Sequence, residues 1–414
     1  MTADQRATWA SQYADTIMGT FAVPPLLLTH GSGCRVTDAA GVEYLDFLAG
    51  ISVNALGHGH PALVAAIAAQ AERLIHVSNL FASPPQLELA ARLLAAAETG
   101  PAGRVFFANS GTEANEAAFK LARLQGRRGL AEGEPVTRTR ILALDLSFHG
   151  RTMGAMALTG KPAMRAPFEP MPSGVEHLPA TVAALEAAMD ERVAALIVEP
   201  IQGEAGVLPL PDGYLERARA LCDEHGALLI IDEIQTGIGR TGKMFGYQHA
   251  GITPDAITLA KGLGGGVPIG AIVTFGAASE LFTAGTHGTT FGGNPLATAA
   301  GNAVLAEIER AGLVARAAEL EQTLRAAIAG IASPLVAGVR GQGLLLGVEL
   351  SAPVSGAVVA AALDAGLILN APNESTIRLA PPLILTDADV ADFAERFARA
   401  LAAAGEASPT GAAA

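Results

Sequence analysis

Cysteine, tryptophan and tyrosine are scarce in this chain. Its 414 residues include two cysteines, one tryptophan and four tyrosines. Cys34 and Cys222 lie far apart and belong to no CxxC or Cys/His pattern, so the sequence predicts neither a disulfide framework nor a zinc site. Two isolated thiols are typical of a reducing compartment, and we therefore expect a cytoplasmic location.

Long apolar runs and basic clusters are also missing. No apolar run approaches the roughly 18 residues needed to cross a bilayer, and residues 1–22 lack the basic start and apolar block of a secretory signal. Acidic residues outnumber basic residues by 40 to 27, and no basic stripe is present. Nucleic acids and anionic membranes are therefore not expected as partners.

The composition is that of a globular chain with a large core. Half of the residues are hydrophobic and only 16% are charged, which excludes a disordered chain. The length exceeds the roughly 150 residues usual for one domain, so we expect two or three compact units.

Short apolar runs alternate with helical patterns through the middle of the chain. This βαβ alternation predicts an α/β fold with a mostly parallel central sheet. A capping box of Ser110 and Glu113 is expected to begin the first of these helices. The predicted strands are 104–108, 141–145, 194–199, 227–232, 256–260 and 269–274, and the predicted helices are 113–126, 181–190 and 213–225.

The pattern changes after about residue 295. A long amphipathic helix is followed by a strand-like run, Leu344 to Leu350, which predicts a smaller α+β unit. Thr386 and Asp389 are expected to cap its last helix. The predicted division is a large domain over 59–295, a small domain over 296–404, an N-terminal segment over 1–58 that packs with the small domain, and a disordered tail over 405–414.

Lysine is rare enough for each one to be judged separately. The four are Lys120, Lys161, Lys243 and Lys261. Lys120 in a helical run and Lys161 before a proline are interpreted as structural. Lys261 ends an apolar strand and precedes the stretch 262–306, whose only formal charge is Glu280. Poor solvation lowers an amine's pKa, which favours a nucleophilic lysine, although a lysine extended from a sheet edge fits the position equally well.

Asp232 also follows a strand-like run, Ala227 to Ile231. Ligands of open α/β sheets bind at the carboxyl ends of the strands, so Asp232 and Lys261 are predicted to face one crevice. A carboxylate and an amine placed there suit a pyridinium nitrogen and an aldehyde of one cofactor. A buried Asp–Lys pair is the alternative.

The segment Asn109–Asn115 lies between a predicted strand and a predicted helix. Free backbone N–H groups and two hydroxyls at a helix N-terminus form an anion site. The same pattern occurs at any serine-capped helix.

Two other motifs suggest ligands on weaker grounds. The run Gly237 to Lys243 satisfies G-x-G-x-x-G and the start of a phosphate-loop pattern, but Met244 occupies the place of the magnesium-binding hydroxyl. A nucleotide-binding α/β protein therefore stays as an alternative. His58 and His60 lack a third ligand at suitable spacing, so no metal site is predicted.

Seven motifs in family order resemble the class III aminotransferases that use pyridoxal phosphate, over about residues 20–400. The resemblance is strongest to the branch of that family that acts on N2-acetylornithine. The motifs are Asn109-Ser-Gly-Thr-Glu-Ala-Asn-Glu116, Phe148-His-Gly-Arg-Thr152, Val198-Glu-Pro-Ile-Gln-Gly-Glu204, Asp232-Glu-Ile-Gln235, Leu259-Ala-Lys-Gly262, His287-Gly-Thr-Thr-Phe-Gly-Gly-Asn294 and Ile377-Arg-Leu-Ala-Pro-Pro382.

The resemblance implies fold type I of the pyridoxal-phosphate enzymes and roles for particular residues. Lys261 binds the cofactor covalently and then moves protons, while Asp232 keeps the ring nitrogen protonated. The other cofactor contacts that it implies come from Gly111, Thr112, Phe148, Glu233, Ile234, Gln235 and Thr290, with Thr290 reaching the phosphate of the neighbouring subunit. A homodimer with shared active sites follows from that implied contact.

The resemblance also implies substrate contacts. Arg378 takes the α-carboxylate of glutamate, and Arg151 takes the distal carboxylate of glutamate or the α-carboxylate of the ω-amine. Glu204 neutralises Arg378 when no carboxylate is bound there, and Thr289 touches substrate. The implied reaction is transfer of an amino group from N2-acetylornithine to 2-oxoglutarate.

Several substrates stay open within this family. Ile51 stands where ornithine aminotransferases often carry a tyrosine, which favours an acylated α-amino group. Ornithine, succinylornithine, N-succinyl-diaminopimelate and 4-aminobutyrate are the alternatives, because one acyl or methylene group is worth only roughly 1–3 kcal/mol of discrimination. A non-catalytic, cofactor-bound relative with a regulatory role is the remaining alternative.

Overall fold

The computed structural model describes residues 3–407, with side chains described from 8 to 406. The helices in this range are α1 (Ala3–Thr16), α2 (Ala49–Ser52), α3 (Pro61–Ala71), α4 (Pro84–Ala96), α5 (Gly111–Arg127), α6 (Met153–Leu158), α7 (Pro162–Arg165), α8 (Val182–Ala188), α9 (Tyr214–His225), α10 (Pro295–Arg310), α11 (Leu313–Gly330), α12 (Ser355–Asp364) and α13 (Asp387–Ala407). The strands are β1 (Leu28–Ser32), β2 (Arg35–Asp38), β3 (Glu43–Asp46), β4 (Arg104–Ala108), β5 (Arg140–Leu144), β6 (Val175–Leu178), β7 (Val193–Val198), β8 (Ile201–Gln202), β9 (Leu208–Pro209), β10 (Leu228–Asp232), β11 (Ala256–Leu259), β12 (Gly270–Thr274), β13 (Val336–Gln342), β14 (Leu345–Leu350), β15 (Leu367–Ile368), β16 (Asn370–Asn373) and β17 (Thr376–Leu379).

A seven-stranded sheet forms the centre of the fold, in the order β4-β12-β11-β10-β7-β5-β6. All neighbours are parallel except β12, which is antiparallel to both β11 and β4. Every residue of β7 and β10 is buried, because helices cover both faces of a parallel sheet and leave no polar side. The predicted α/β fold with a mostly parallel sheet is confirmed.

Each of the six predicted central strands is present to within one residue at either end. The edge strand β6 escaped prediction because it is only partly buried and carries Glu176 and His177, which break the apolar pattern. The helix after β4 is capped by Ser110, whose Oγ accepts from the Glu113 amide. Glu113 does not complete the predicted capping box, because its carboxylate accepts from the Asn109 amide at 2.9 Å instead.

A second sheet, in the order β13-β14-β17-β16, belongs to the smaller unit and is accompanied by α11, α12 and α13. A third sheet joins the two ends of the chain, since β3 pairs in parallel with β15. The predicted helix cap is present, with the Thr386 amide donating to Asp389 and the Asp389 amide donating to Thr386 Oγ1, both at 3.1 Å. The domain boundaries at 58, 295 and 404 remain predictions.

The last helix corrects one expectation. α13 extends to Ala407, three residues into the segment that was predicted to be a disordered tail from Gly405. Alanine-rich sequence favours helix, and the apolar face of α13 continues through buried Ala404. Positions 408–414 lie outside the described residues. Within residues 3–407 no helix is long and apolar enough to span a membrane.

Candidate active site

A cavity of about 410 Å³ lies at the carboxyl ends of β10 and β11, beside the N-terminus of α5. This is the crevice that open α/β sheets use for ligands. Its walls combine apolar side chains with a small number of polar groups, as ligand sites do. The lining residues include Asn109, Ser110, Gly111, Thr112, Phe148, His149, Arg151, Glu199, Asp232, Ile234, Gln235 and Lys261.

Lys261 and Asp232 face this cavity together. In the parallel ladder Asp232 lies opposite Thr258, three residues before Lys261. Lys261 begins a short 3-10 turn, Lys261–Leu263, with a positive φ of 40°. Burial, followed by the charge of Arg378, lowers the pKa of Lys261 to about 8. The ammonium therefore loses its proton far more easily than that of an exposed lysine.

Asp232 is held by three donors. Its Oδ2 accepts from Asn115 Nδ2 and from His149 Nδ1, both at 2.7 Å, and its Oδ1 accepts from the Ile234 amide at 3.0 Å. Thr258 in turn donates to Asn115 Oδ1 at 2.8 Å. The carboxylate is 3% exposed and fixed in orientation at the cavity wall.

His149 and Glu199 are site residues to which the sequence analysis gave no role. Burial lowers the pKa of His149, but the hydrogen bond and charge of Asp232 outweigh it, and the net pKa is raised. Burial raises the pKa of Glu199. The Phe148 amide donates to Glu199 at 3.3 Å. Glu199 follows β7 directly, which is the same signal at a strand end that identified Asp232.

The N-terminus of α5 forms an anion cradle at one side of the cavity. Gly111 and Thr112 occupy its first turn, where backbone N–H groups have no partner within the helix. Thr112 Oγ1 accepts from the Arg151 amide at 2.9 Å. Gly150 makes this approach possible, since its φ is 136° and a Cβ there would lie 2.2 Å from Thr112 Oγ1. Thr112 Oγ1 also accepts from the Thr152 amide at 3.0 Å, so the hydroxyl is ordered by the protein. Binding of an anion at this helix terminus stays a prediction.

The residues after Asp232 divide between the cavity and the core. Ile234 and Gln235 line the cavity, as does Phe148. Glu233 points away from it, which contradicts the expected cofactor contact. Its carboxylate accepts from the Tyr247 amide at 2.7 Å and from the Gly246 amide at 2.8 Å. Burial raises the pKa of Glu233 to about 7. The chain forms turns over residues 234–240, so the direction of each side chain after Asp232 is set by the turn and not by strand alternation.

Two arginines flank the site in different ways. Arg151 is exposed, lines the cavity and lies 5.8 Å from the centre of the Phe148 ring. Arg378, on β17, is 1% exposed and forms an ion pair with Glu204. It also donates to Gln235 at 3.2 Å and to Asn370 at 2.7 Å. Burial raises the pKa of Glu204, but Arg378 outweighs this and leaves it lowered. The predicted Arg–Glu pair is thus formed.

Thr289 and Thr290 do not line the cavity of this chain. Thr289 Oγ1 accepts from Asn109 Nδ2 at 3.1 Å, so it contacts a residue of the cavity wall. Thr290 is exposed. Their predicted contacts with substrate and with a partner's phosphate therefore stay predictions.

The two weaker motifs have structural roles. His58 Nε2 lies 2.8 Å from Asp46 Oδ2. Within the described residues no cluster of three metal-ligating side chains occurs. The loop 237–243 is not followed by the helix that a phosphate loop needs, because a 3-10 turn, Gly246–His249, comes next. Arg240 is buried in this loop and donates to Leu344 O at 3.2 Å, so the loop joins the two units of the fold.

The structural interpretation of Lys161 agrees with its contact, since Lys161 Nζ donates to the carbonyl of Glu204 at 2.7 Å. Lys120 is exposed on α5, as predicted, and its Nζ lies 3.2 Å from His287 Nδ1.

The residues fit a phosphorylated pyridine aldehyde. The cradle of Gly111 and Thr112 suits the phosphate, and Asp232 suits a protonated ring nitrogen. Lys261 is an amine of lowered pKa on the same cavity. Phe148 and Ile234 provide apolar surface for a ring.

Comparison with known proteins gives an independent result. The model of the family described as Aminotransferase class-III matches residues 19–401. An acetylornithine aminotransferase of Mycolicibacterium smegmatis is 51% identical over 387 residues, which cover 93% of this chain and 96% of the relative. One from Streptomyces coelicolor is 50% identical, with 94% of this chain and 93% of the relative covered.

Solved structures agree with the sequence relatives. The ornithine aminotransferase of Toxoplasma gondii has a TM-score of 0.91 at 33% identity, covering 98% of this chain and 96% of its own. The N-acetylornithine aminotransferase of Stenotrophomonas maltophilia has a TM-score of 0.83 at 37% identity, covering 96% and 100%. The resemblance drawn from the seven motifs is confirmed.

Proposed function

This chain belongs to the class III aminotransferases, which use pyridoxal 5'-phosphate, and we propose that it transfers the terminal amino group of N2-acetyl-L-ornithine to 2-oxoglutarate. The products are N-acetyl-L-glutamate 5-semialdehyde and L-glutamate, a step of arginine biosynthesis. The observation that carries the proposal is one cavity that joins Lys261, of lowered pKa, to a buried carboxylate and an arginine. Relatives named acetylornithine aminotransferase, about 50% identical, support the substrate.

Lys261 and Asp232 perform the central chemistry. When bound, pyridoxal phosphate supplies an aldehyde that condenses with amines and a ring that accepts electrons. Lys261 Nζ would be the nucleophile of this chain, and when an incoming amine releases it, it would take the proton from the substrate carbon that bears the amine and deliver it to the aldehyde carbon of the cofactor. Asp232 would accept a hydrogen bond from the protonated ring nitrogen, and Asn115 and His149 keep its carboxylate oriented.

The remaining cavity residues orient the cofactor. Gly111 and Thr112 would bind the phosphate at the helix terminus. Phe148, Ile234 and Gln235 line the cavity; Phe148 and Ile234 would cover the ring faces and exclude water, and Gln235 would contact the ring hydroxyl. These assignments follow the family likeness and the positions of the side chains on the cavity wall.

Arg151 and Arg378 accommodate two substrates of different shape. An arginine can bind a carboxylate with two parallel hydrogen bonds. With the ω-amine, Glu204 stays on Arg378 and Arg151 binds the α-carboxylate. With glutamate, the α-carboxylate replaces Glu204 on Arg378, and Arg151 binds the distal carboxylate. Breaking a buried ion pair is costly unless a new anion takes its place, so the second arrangement needs a substrate whose α-carboxylate reaches Arg378.

We also propose that the enzyme is a homodimer with shared active sites. Large apolar side chains are exposed beside Thr289 and Thr290: Leu80 is 86%, Phe81 is 69% and Phe291 is 60% exposed. Asn79 connects these segments by donating to Thr289 O at 3.2 Å. An apolar surface of this kind is typical of a subunit interface. Thr290 at its margin would then reach the partner's phosphate.

A cytoplasmic location is proposed as well. Cys34 and Cys222 are both free and buried. Free thiols fit a reducing compartment, and the substrates are small metabolites.

The deciding experiment measures the visible absorption band of the purified, cofactor-loaded enzyme. N2-acetylornithine, ornithine, succinylornithine, N-succinyl-diaminopimelate and 4-aminobutyrate are titrated separately without a keto acid. Bleaching of the band reports transfer of the amino group. We expect bleaching by N2-acetylornithine at a concentration roughly tenfold or more below that of the others.

Other outcomes change the assignment in defined ways. Preferential bleaching by ornithine would assign the activity named for the Toxoplasma gondii neighbour. Preference for another amine would likewise replace N2-acetylornithine. Failure of every amine and of glutamate to bleach the band would overturn the transaminase proposal itself.

A further inference from the structure

Three side chains donate hydrogen bonds to the backbone of the turn that carries Glu204. Gly203–Ala205 is a short 3-10 turn between β8 and β9. The carbonyls of residues 204, 205 and 206 each accept a hydrogen bond from a different side chain. The donors are Lys161 Nζ at 2.7 Å, Asn373 Nδ2 at 3.0 Å and Arg340 Nε at 3.0 Å, in that order.

Close packing reinforces these three hydrogen bonds. A Cβ at Gly203 would lie 1.8 Å from Gln235 Oε1, so the turn rests directly on the cavity wall. These contacts restrain the backbone of the turn. Rotation of the Glu204 side chain is therefore the movement that releases its carboxylate from Arg378 with the least disturbance of the turn.

Lys161 differs from the other two donors in its charge and partners. Asn373 is neutral, and Arg340 already forms an ion pair with Glu349 at 3.1 Å. Among the described side chains no carboxylate lies within ion-pair distance of Lys161 Nζ. Its charge nevertheless acts on Glu204: burial raises the pKa of that carboxyl group, and Arg378, Lys261 and Lys161, in that order, lower it.

We propose that Lys161 is the positioning residue that receives the Glu204 carboxylate when glutamate displaces it from Arg378. The inference rests on the proposed alternation of Glu204 and substrate on Arg378. Lys161 Nζ is already hydrogen-bonded to the backbone of the same residue, so a side-chain rotation brings the carboxylate toward a fixed cation. A partly buried carboxylate without such a cation would be held more firmly on Arg378.

The experiment measures the two half-reactions separately in single-turnover bleaching. Lys161→Gln keeps a hydrogen-bond donor and removes the charge, and Lys161→Arg keeps the charge. For Lys161→Gln we expect the glutamate concentration at half-maximal rate to rise roughly tenfold, with a smaller change in maximal rate. The value for N2-acetylornithine should rise by less than about threefold, since Glu204 stays in place.

Two comparisons separate this role from a purely structural one. With Lys161→Arg the glutamate concentration at half-maximal rate should lie close to that of the unmodified enzyme. Asn373→Ala removes a neutral hydrogen-bond donor from the same turn. It should not raise the glutamate concentration at half-maximal rate more than that of N2-acetylornithine. In a Glu204→Gln background, Lys161→Gln should change the glutamate value by less than about twofold, because no carboxylate leaves Arg378.

The proposal fails if both half-reactions decline equally, if Lys161→Arg behaves like Lys161→Gln, or if the effect persists without Glu204. Lys161→Met, which keeps the apolar stem, replaces Lys161→Gln if that variant does not fold. Failure of the substrate assignment is a separate outcome, because it is measured on the unmodified enzyme with amines other than glutamate.

Discussion

Asp232 and Lys261 lie at the ends of adjacent parallel strands, with Asp232 opposite Thr258 in the ladder. The sheet therefore brings a carboxylate and an amine to the same end of two neighbouring strands. The carboxylate ends β10, and the amine belongs to the 3-10 turn Lys261–Leu263 that follows β11. Strand pairing and the conformation of this turn together place both groups on one cavity wall.

Replacing Lys261 with alanine tests its covalent role. We expect loss of the visible band and a fall in turnover of roughly 10²- to 10⁴-fold or more, because nucleophile and base are removed together. Absorption spectra and steady-state rates measure the two effects. Lys120→Ala is the matched control, since Lys120 is exposed on α5. A Lys261→Ala enzyme with normal turnover would contradict the mechanism.

The lowered pKa of Lys261 predicts the pH dependence of cofactor capture. Only the neutral amine attacks the aldehyde, and an amine is neutral above its pKa. Because burial and then Arg378 lower this pKa to about 8, the capture rate should rise with pH through a midpoint near pH 8 and level off at higher pH. The growth of the visible band after mixing apoenzyme with pyridoxal phosphate gives the rate. If the midpoint of the rate against pH instead lies near the ordinary pKa of an exposed lysine, the amine is not desolvated and this prediction is wrong.

Gly150 gives a steric test of the phosphate cradle. Gly150→Ala would place a Cβ 2.2 Å from Thr112 Oγ1 and displace it. We expect the dissociation constant of pyridoxal phosphate to rise by about tenfold or more, equivalent to about 1.4 kcal/mol. Gly129→Ala is the control: Gly129 has a positive φ of 78° but no atom within 4 Å of the added Cβ. Equal effects of the two variants on cofactor affinity would argue against the cradle.

The proposed dimer predicts the effect of a charge on the apolar surface. Phe81→Glu should shift the mass measured by light scattering from dimer to monomer, since burying an unpaired carboxylate is unfavourable. Cofactor affinity should fall with it if Thr290 of a partner completes the phosphate site. Phe168→Glu changes another exposed phenylalanine outside this surface and should leave the mass unaltered. A Phe81→Glu dimer would place the interface elsewhere.

The fold was predictable where burial gives a continuous apolar pattern. β7, β10 and β11 are buried throughout, and each was found from sequence. β6 was missed because an edge strand exposes polar side chains. The extent of α13 was underestimated because a glycine and small residues suggested a tail, whereas the apolar face of the helix continues.

The site was predictable where a residue type is unusual for its position. Asp232 and Lys261 end apolar strands, so each was noticed individually. His149 and Asn115 were not assigned roles, because their importance depends on a partner, Asp232, that is 83 and 117 residues away in the chain. Such residues come together only in the folded chain, so their positions in the sequence do not reveal the contact. Glu233 shows the converse, since its place in a motif does not determine which way it faces.

The ion pair between Arg378 and Glu204 also joins two parts of the fold. Arg378 belongs to β17 of the smaller sheet, whereas Glu204 and Gln235 follow strands of the larger unit. In the proposed reaction the same contact would therefore contribute both to cohesion between the sheets and to selection of the incoming acid. A substrate that displaces Glu204 from Arg378 would have to replace the lost ion pair with its own carboxylate. Bound glutamate would then itself form part of the connection between the two units.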